Sequence, residues 1–218
     1  TGAQIGAANI VTALEAGNDV YISTVNGDVN EVGTITVSSA ISVANTATRT
    51  FVLFASEDIV VNADITGTNS KLNVTLGAQG DITLGNNVDV TTLGGDFLVQ
   101  GANDTGAIFG GTAAGAGSFT QNASATINTT GKAATAGGDV TITTRVYDPS
   151  GGNSTGHIII NGDITTSGGT ASSAGLAGGA VALTSTTTGT ITIGTGADIT
   201  TTGSNASSGN GGAGGAVT

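Results

Sequence analysis

His157 is the only histidine of the sequence, so any Ser-His-Asp triad or histidine-based metal site would have to use it. It stands after a loop and directly before an apolar run, which is the position of a surface or corner residue at the start of a strand. We therefore expect no catalysis at this residue. The loop before it carries distinctive side chains, and we expect a contact loop formed by Arg145, Tyr147, Asp148 and His157.

Clustered carboxylates are the other chemistry to consider, because glycoside hydrolysis uses paired Asp or Glu residues. Here the aspartates stand singly beside aliphatic strand residues, as at Asp64, Asp81, Asp89, Asp163 and Asp198. Calcium-binding nonapeptide repeats need Gly-Gly-x-Gly-x-Asp, which the Gly-Gly-Asp-Val segment does not supply. The chain has no cysteine for thiolate metal ligands. We expect no enzyme, no metal site and no cofactor.

The charge balance restricts the partners. The 218 residues carry 15 carboxylates against four basic side chains, a net charge of −11. Nucleic acids and anionic membrane surfaces need Lys and Arg, so neither is an expected partner. No apolar run approaches the roughly 20 residues that span a bilayer, so no membrane insertion is expected. Acidic, Lys-poor, Thr/Gly/Asn-rich composition instead favours an extracellular or bacterial cell-surface protein, and the lack of an initiator Met suggests a piece of a longer chain.

A short motif recurs with a fixed period. An aliphatic residue, Thr or Asn, Thr, a variable residue and Gly follow one another in VTTLG, INTTG, ITTSG and ITTTG, which start at residues 90, 127, 164 and 199. The steps are therefore 37, 37 and 35 residues. A β-sandwich would not explain why equivalent strands share this chemistry, whereas a parallel β-helix stacks equivalent positions into ladders. With coils of about 22 residues, each 37-residue step is about two coils and the chain forms about ten.

Apolar residues alternate with period two, and Gly, Thr, Val and Asn are weak helix formers, so the chain is predicted to be all-β. Only NIVTALEAG (residues 9–17) suits a helical turn or two, or an end cap that uses Ile10, Ala13 and Leu14. We assign residues 1–18 to an N-terminal cap or lead-in and 19–218 to β-helix repeats that continue beyond the C-terminus. The predicted interior is Ile59, Ile65, Leu72, Val74, Leu76, Ile82, Leu84, Val90, Val140, Ile142, Ile158, Ile160, Ile164, Val181, Leu183, Ile191, Ile193 and Ile199.

Gly-Gly pairs precede several of the alternating runs, as in GGDVTITT (residues 137–144) and GGAVALTS (residues 178–185). We interpret them as corners between strands, often at positive φ, where glycine costs least. The Gly, Ala and Ser segments before these pairs are predicted to bulge from one edge as loosely ordered loops, since loop closure depends weakly on length. Order is expected to be lowest at residues 169–180 and 203–216.

Three segments carry a resemblance to a known family: NGDVNEVGTITVSSAIS, LNVTLGAQGDITLGNNVDVTTLGGDFLV and TAGGDVTITT. They resemble the β-strand repeats of filamentous-haemagglutinin-type exoproteins, which are large bacterial adhesins commonly secreted by the two-partner route. The resemblance runs from about Asp19 to the end and implies a right-handed parallel β-helix, or β-solenoid. The Asn-Pro-Asn-Gly-type motif of that family's secretion domain is missing, since the only proline is Pro149.

Three functions follow as hypotheses. The first is a structural segment of an extracellular bacterial adhesin or surface fibre, which would contact a host or neighbouring-cell surface and its glycans. The second is a subunit of a homopolymeric filament, because an uncapped solenoid end exposes strand edges that can pair end to end with another copy. The third is a β-helix that binds or cleaves polysaccharides.

Overall fold

The computed structural model describes residues 3–24, 33–101, 117–145, 156–171, 173–185 and 188–218. These residues form one α-helix and eighteen short strands, and the helix overlaps the segment singled out from the sequence but begins two residues before it. In chain order the elements are α1 Ala7–Glu15, β1 Val20–Ser23, β2 Ile35–Val37, β3 Ile41–Val43, β4 Arg49–Ala55, β5 Ile59–Val61, β6 Ile65–Gly67, β7 Leu72–Ala78, β8 Ile82–Leu84, β9 Asp89–Thr91, β10 Phe97–Gly101, β11 Phe119–Gln121, β12 Thr126–Asn128, β13 Val140–Thr144, β14 Ile158–Ile160, β15 Ile164–Thr165, β16 Val181–Ser185, β17 Ile191–Ile193 and β18 Ile199–Thr200.

Every third strand belongs to the same parallel sheet. Sheet A has the order β1-β4-β7-β10-β13-β16, sheet B β2-β5-β8-β11-β14-β17, and sheet C β3-β6-β9-β12-β15-β18. The chain therefore winds as a parallel β-helix, and one strand from each sheet makes up one rung. Val90, Ile127, Ile164 and Ile199 pair in register along sheet C, which confirms that the recurring motif marks stacked positions.

The predicted number of coils is wrong, because each sheet holds six strands among the described residues rather than ten. Ile127 pairs directly with Val90 and with Ile164, so a 37-residue step is one rung, not two. Rung length varies chiefly because the segments at the corners vary in length. Val74 and Phe97, 23 residues apart, are neighbours in sheet A, and so are Phe97 and Val140, 43 residues apart. The right-handed sense of the coil stays a prediction.

The interior matches the alternating pattern. Every predicted interior residue from Ile59 to Leu183 is buried, and Ile199 is half-buried. The prediction is wrong for Ile191 and Ile193, which are 46% and 44% exposed. They lie on β17, the last strand of sheet B, and no further described strand covers them.

Three phenylalanines outside the predicted interior set fill the middle of the coil. Phe51, Phe97 and Phe119 are fully buried. The rings of Phe97 and Phe119 meet edge to face, with their centroids 6.4 Å apart, an arrangement that aromatic quadrupoles favour. They supply the bulk that the small side chains around them lack.

Helix α1 packs against strands β1 and β3 of the first rung and β4 of the second. Its Ile10 and Leu14 are buried in the same apolar cluster as the strands, whereas Ala13 is only half-buried. The Glu15 carboxylate accepts a hydrogen bond from the Ala44 backbone N–H at 2.8 Å, which fixes the end of the helix to the rung. None of the described helical residues form a segment long and apolar enough to cross a membrane.

Candidate functional site

The segments that vary most in length between rungs lie at two of the three corners of the coil. At the corner from sheet B to sheet C, only three to five residues lie between the last inward residue of one strand and the first of the next, as between Ile160 and Ile164. The corners from sheet A to sheet B, and from sheet C back to sheet A, hold the longer segments. We call these the A–B corner and the C–A corner.

The recurring Thr and the recurring Gly-Gly pair are the two halves of one clamp at the C–A corner. The Thr hydroxyl donates to the carbonyl of the second glycine at 2.5–2.8 Å, and the N–H of that glycine donates back to the Thr carbonyl at 2.6–3.1 Å. The four clamps are Thr92–Gly95, Thr129–Gly138, Thr166–Gly179 and Thr201–Gly215.

The clamp holds the two ends of the corner together whatever lies between them. Two residues separate Thr92 from Gly95, and thirteen separate Thr201 from Gly215. Thr92, Thr129 and Thr166 are fully buried, so their hydroxyls need the partner that the glycine carbonyl provides. Loop length is thereby uncoupled from the register of the sheets.

Close stacking, rather than positive φ, explains most of the paired glycines. A Cβ on Gly138 would overlap the carbonyl oxygen of Gly95, and a Cβ on Gly179 would overlap that of Gly138. Within the four pairs only Gly94 has a positive φ, at 86°. The predicted conformational reason is therefore wrong for the rest, because what they require is the absence of a side chain between successive rungs.

The loops above the clamps are stacked and hydrogen-bonded, which corrects the expectation of loose order. The N–H of Gly131 donates to the Ser167 carbonyl, and the N–H of Gly168 donates to the Thr202 carbonyl, both at 2.9 Å. Further inter-rung bonds join Ala134 to Thr170, Gly175 to Asn210 and Gly178 to Ala213. Glycine allows these backbones to approach, so the small-residue segments form a layered lobe beside the coil.

The hydroxyl half of this clamp also closes the A–B corner, where the Gly33 N–H donates to Ser56 Oγ instead of back to the threonine. The Thr24 hydroxyl donates to the Gly33 carbonyl at 2.7 Å, and the Thr144 hydroxyl donates to the Gly156 carbonyl at 2.6 Å. In the next rung Ser185 also donates to the Gly156 carbonyl, at 2.8 Å. The Thr144–Gly156 clamp stands at the base of the predicted contact loop.

Of the predicted contact residues, Tyr147 and Asp148 lie outside the described residues, and the structure does not test their role. Arg145 and His157 are half-buried on either side of the Thr144–Gly156 clamp. The structure thus places both residues at the stem of one loop.

His157 has a defined structural partner. Its Nδ1 accepts a hydrogen bond from the Thr190 backbone N–H at 2.9 Å, so Nδ1 is the unprotonated nitrogen of the ring. The backbone N–H of His157 donates to Ser118 Oγ at 3.3 Å. Through its ring and its backbone together, His157 therefore links three successive rungs at the start of the sheet B strands.

This contact is one step of a ladder that the sequence reasoning missed. In each sheet, the side chain just before an inward residue near the start of a strand accepts the N–H of the equivalent residue on the next rung, at 2.7–3.3 Å. In sheet B the steps are Asp58 to Asp81, Asp81 to Ser118, Ser118 to His157 and His157 to Thr190. In sheet A they are Asp19 to Thr50, Asn73 to Asp96, Asp96 to Asp139 and Asp139 to Ala180, and in sheet C Asp64 to Asp89 and Asp163 to Asp198.

The ladders explain most of the single aspartates beside strands: Asp64, Asp81 and Asp163 each accept a backbone N–H. Asp89 instead accepts the Thr126 hydroxyl at 2.6 Å. The detectable signal was the recurrence of Asp, Asn or Ser immediately before the first inward residue of a strand. Among the described residues no group of three His, Cys, Asp or Glu side chains is placed to hold a metal ion.

The surroundings of Asp58 disfavour the ionised form of its carboxyl group. Partial burial raises the pKa of Asp58, and the negative charges of Asp81 and Glu57 raise it further. The hydrogen bond from the Asp81 N–H acts in the opposite direction but does not offset them. The ladder is therefore maintained here against charge repulsion.

Gln121 adapts the corner between sheets B and C where its path changes. Ile127 follows Gln121 by six positions, whereas Ile164 follows Ile160 by only four positions on the next rung. The buried Gln121 amide donates to the Ala125 carbonyl at 2.8 Å and to the Asp163 carbonyl at 3.1 Å. It thereby satisfies carbonyls of both rungs.

Comparisons with known protein families, with curated proteins and with solved structures found no match. The functional argument therefore rests on the clamps, the ladders and the corners that they hold.

Proposed function

We propose that the chain is a structural segment of an extracellular bacterial adhesin or surface fibre, similar to the filamentous-haemagglutinin type, whose rod presents loops at its corners. The observation that supports this most is the Thr–Gly clamp. It recurs at both variable corners, while the three sheets keep their register. Such an arrangement separates the part that gives length from the part that makes contacts.

The proposed partner is a host or neighbouring-cell surface and its glycans, contacted by the loop between Thr144 and Gly156. This loop contains Tyr147, and an aromatic ring with polar neighbours suits the apolar face of a sugar. Most of the described carboxylates of the ladders accept backbone N–H groups, which favours binding over cleavage of polysaccharides.

A loop exchange tests the proposal. Residues 145–155 are replaced by a Gly-Ser segment of equal length, with Thr144 and Gly156 kept. The matched control replaces residues 130–136 between the Thr129 clamp and its Gly-Gly pair. Adhesion of protein-coated beads to cells and retention on a glycan array are measured, with circular dichroism to verify the fold.

We expect the first exchange to abolish adhesion and the control to preserve it. Wild-type beads that adhere to no cell and no glycan would overturn the proposal. Adhesion that survives both exchanges would move the contact away from these loops and contradict it as well.

A homopolymeric filament is a second proposal, favoured by one observation. Ile191 and Ile193 expose apolar surface on the last described rung, where a solenoid offers unpaired strand edges. Regular fibres that appear with rising concentration in electron micrographs of the chain would support it, and their absence would count against it.

A further inference from the structure

The sheet B ladder changes its chemistry at His157. Below it the acceptors are the carboxylates of Asp58 and Asp81 and the hydroxyl of Ser118. A protonated carboxyl group keeps an acceptor oxygen and a hydroxyl keeps its lone pairs, so these steps survive the gain of a proton. At His157 the acceptor is Nδ1, which takes the Thr190 backbone N–H at 2.9 Å. An imidazole nitrogen accepts only while it carries no proton, so a second proton on the ring turns this acceptor into a donor.

The ring bond lies beside the backbone bonds that join three rungs of sheet B. On the rung below, the His157 carbonyl accepts the Phe119 N–H at 2.8 Å. On the rung above, the Ile158 N–H donates to the Thr190 carbonyl at 2.9 Å. The bond from the Thr190 N–H to Nδ1 therefore comes immediately before the hydrogen bonds that pair β14 with β17.

Side-chain hydrogen bonds also join the A–B corner of the sixth rung (β16 to β18) to that of the fifth (β13 to β15). The Ser185 hydroxyl donates to the Gly156 carbonyl at 2.8 Å, and Gly189 packs so closely on this carbonyl that a Cβ would overlap it. Thr190 is exposed, and its hydroxyl lies 2.9 Å from the same Nδ1 atom of His157. The ring thus holds the sixth-rung corner in place directly above the stem of the contact loop.

The surroundings of the ring provide no charge to keep a proton on it without breaking this bond. Strands β11, β16 and β17, which pack against β14, contain no charged residue. Both ring contacts that the structure shows are with Thr190, which is uncharged. The charged residues nearest in the ladder or along the chain are Asp81, Arg145 and Asp163, while Asp104 and Asp148 lie outside the described residues.

We propose that His157 is an acid-sensitive latch between the fifth and sixth rungs. When the imidazole gains its second proton, Nδ1 donates to the Thr190 hydroxyl instead, and the Thr190 N–H is released to water. Histidine changes its charge between about pH 8 and pH 5, so the latch opens in mild acid.

The direction of the pH effect follows from the bond. The folded chain keeps the bond only with a neutral ring, whereas the unfolded chain takes up the proton without losing a contact. The stability that the latch contributes is therefore present at pH 8 and lost on acidification. This inference concerns the folded coil alone and does not depend on the proposed adhesion.

Hydrogen exchange at the Thr190 amide, followed by NMR on the full 218-residue chain, tests the latch. Protection factors are compared rather than rates, because intrinsic exchange itself slows in acid. We expect Thr190 protection to fall roughly threefold to tenfold between pH 7.5 and pH 5, the effect of one lost hydrogen bond. The Ile158 amide, which keeps the Thr190 carbonyl as its acceptor, should change less. His157 is the only histidine, so its ring signals are unambiguous and should report a proton on Nε2 alone at pH 7.5.

His157→Asn is the matched control, because Asn73 holds the equivalent ladder position in sheet A and accepts the Asp96 N–H at 3.0 Å. Its Thr190 protection should be the same at both pH values. His157→Leu removes the acceptor at every pH, so it should show at pH 7.5 the low protection that wild type shows at pH 5. Asp58→Asn removes the ladder carboxyl whose pKa is raised, and it should leave the response of Thr190 unchanged.

Constant Thr190 protection in the wild type from pH 7.5 to pH 5 overturns the inference, and so does an equal fall in His157→Asn. A response that disappears in Asp58→Asn assigns the effect to that carboxyl and overturns it as well. If His157→Leu does not fold, the comparison of wild type with His157→Asn and the position of the ring proton still decide.

Discussion

The early and late rungs of the coil are held together by different means. Strands β4 and β7 are seven residues long, and the rungs around them close within 23 residues over fully buried Phe and Leu side chains. From Phe97 onward the steps along sheet A rise to 43, 41 and 36 residues, and the added residues enter the corners. The early rungs therefore rely on apolar burial, whereas the late rungs depend on clamps and stacked glycine backbone.

The largest effect is expected where the two regions meet. Phe97→Ala removes a fully buried ring that contacts Phe119, and it should lower the free energy of unfolding by about 3–5 kcal/mol. Leu183→Ala, at the edge of the last rung, should cost clearly less because that rung already admits water. Urea unfolding followed by circular dichroism measures both, and equal losses would refute a core concentrated in the early and central rungs.

The next effect tests the glycine columns of the late rungs. Gly138→Ala places a Cβ on the Gly95 carbonyl, and we expect it to cost about 1–3 kcal/mol through forced backbone shifts. Gly211→Ala is the control, because a Cβ there meets only the Ser204 carbonyl at an ordinary 3.6 Å. Thermal unfolding that does not separate the two variants would contradict the stacking argument.

A smaller loss is expected from a single clamp. Thr166→Val keeps the shape of the side chain but leaves the Gly179 carbonyl without its buried donor, at a cost of about 1–3 kcal/mol. The reciprocal bond from the Gly179 N–H remains, which places the effect toward the lower end. Thr165→Val, on the outward face, should change the unfolding midpoint little. If Thr166→Val is as stable as this control, hydrogen bonding in the clamps does not support the late rungs.

The smallest expected change is a gain in stability, and it concerns Asp58 in the early rungs. Because the pKa of Asp58 is raised by folding, its contribution to stability is present below the pKa of the unfolded chain and lost as pH rises through the folded value. Asp58→Asn retains an acceptor for the Asp81 N–H without the charge, so it should be slightly more stable than wild type at pH 7. The difference should vanish in acid.

Asp163→Asn is the control for a general reduction of negative charge, since Asp163 occupies the same ladder position in sheet C. Melting curves between pH 3 and pH 8 measure both variants. A gain at Asp58 that persists in acid would show that charge is not its cause.

Sequence periodicity was sufficient for the fold because Ile, Thr and Val alternate wherever a strand has one buried face. It predicted the stacking of Val90, Ile127, Ile164 and Ile199, but not that one step is one rung, since corner residues leave no mark in the strand pattern. The two halves of each clamp were visible in the sequence as separate motifs, a Thr before the corner loop and a Gly-Gly pair after it. Their pairing is a contact across up to thirteen residues, which no local pattern encodes.

The Thr–Gly clamp also has a consequence for how such chains diverge. The segments between the clamp residues hold 2, 8, 12 and 13 residues, yet the flanking strands remain opposite one another. Insertions and deletions at these points can therefore leave the sheets in register, so that a lineage can change them while its strands stay recognisable. Homologues are then better aligned by matching each buried threonine with its glycine than by matching distances along the chain.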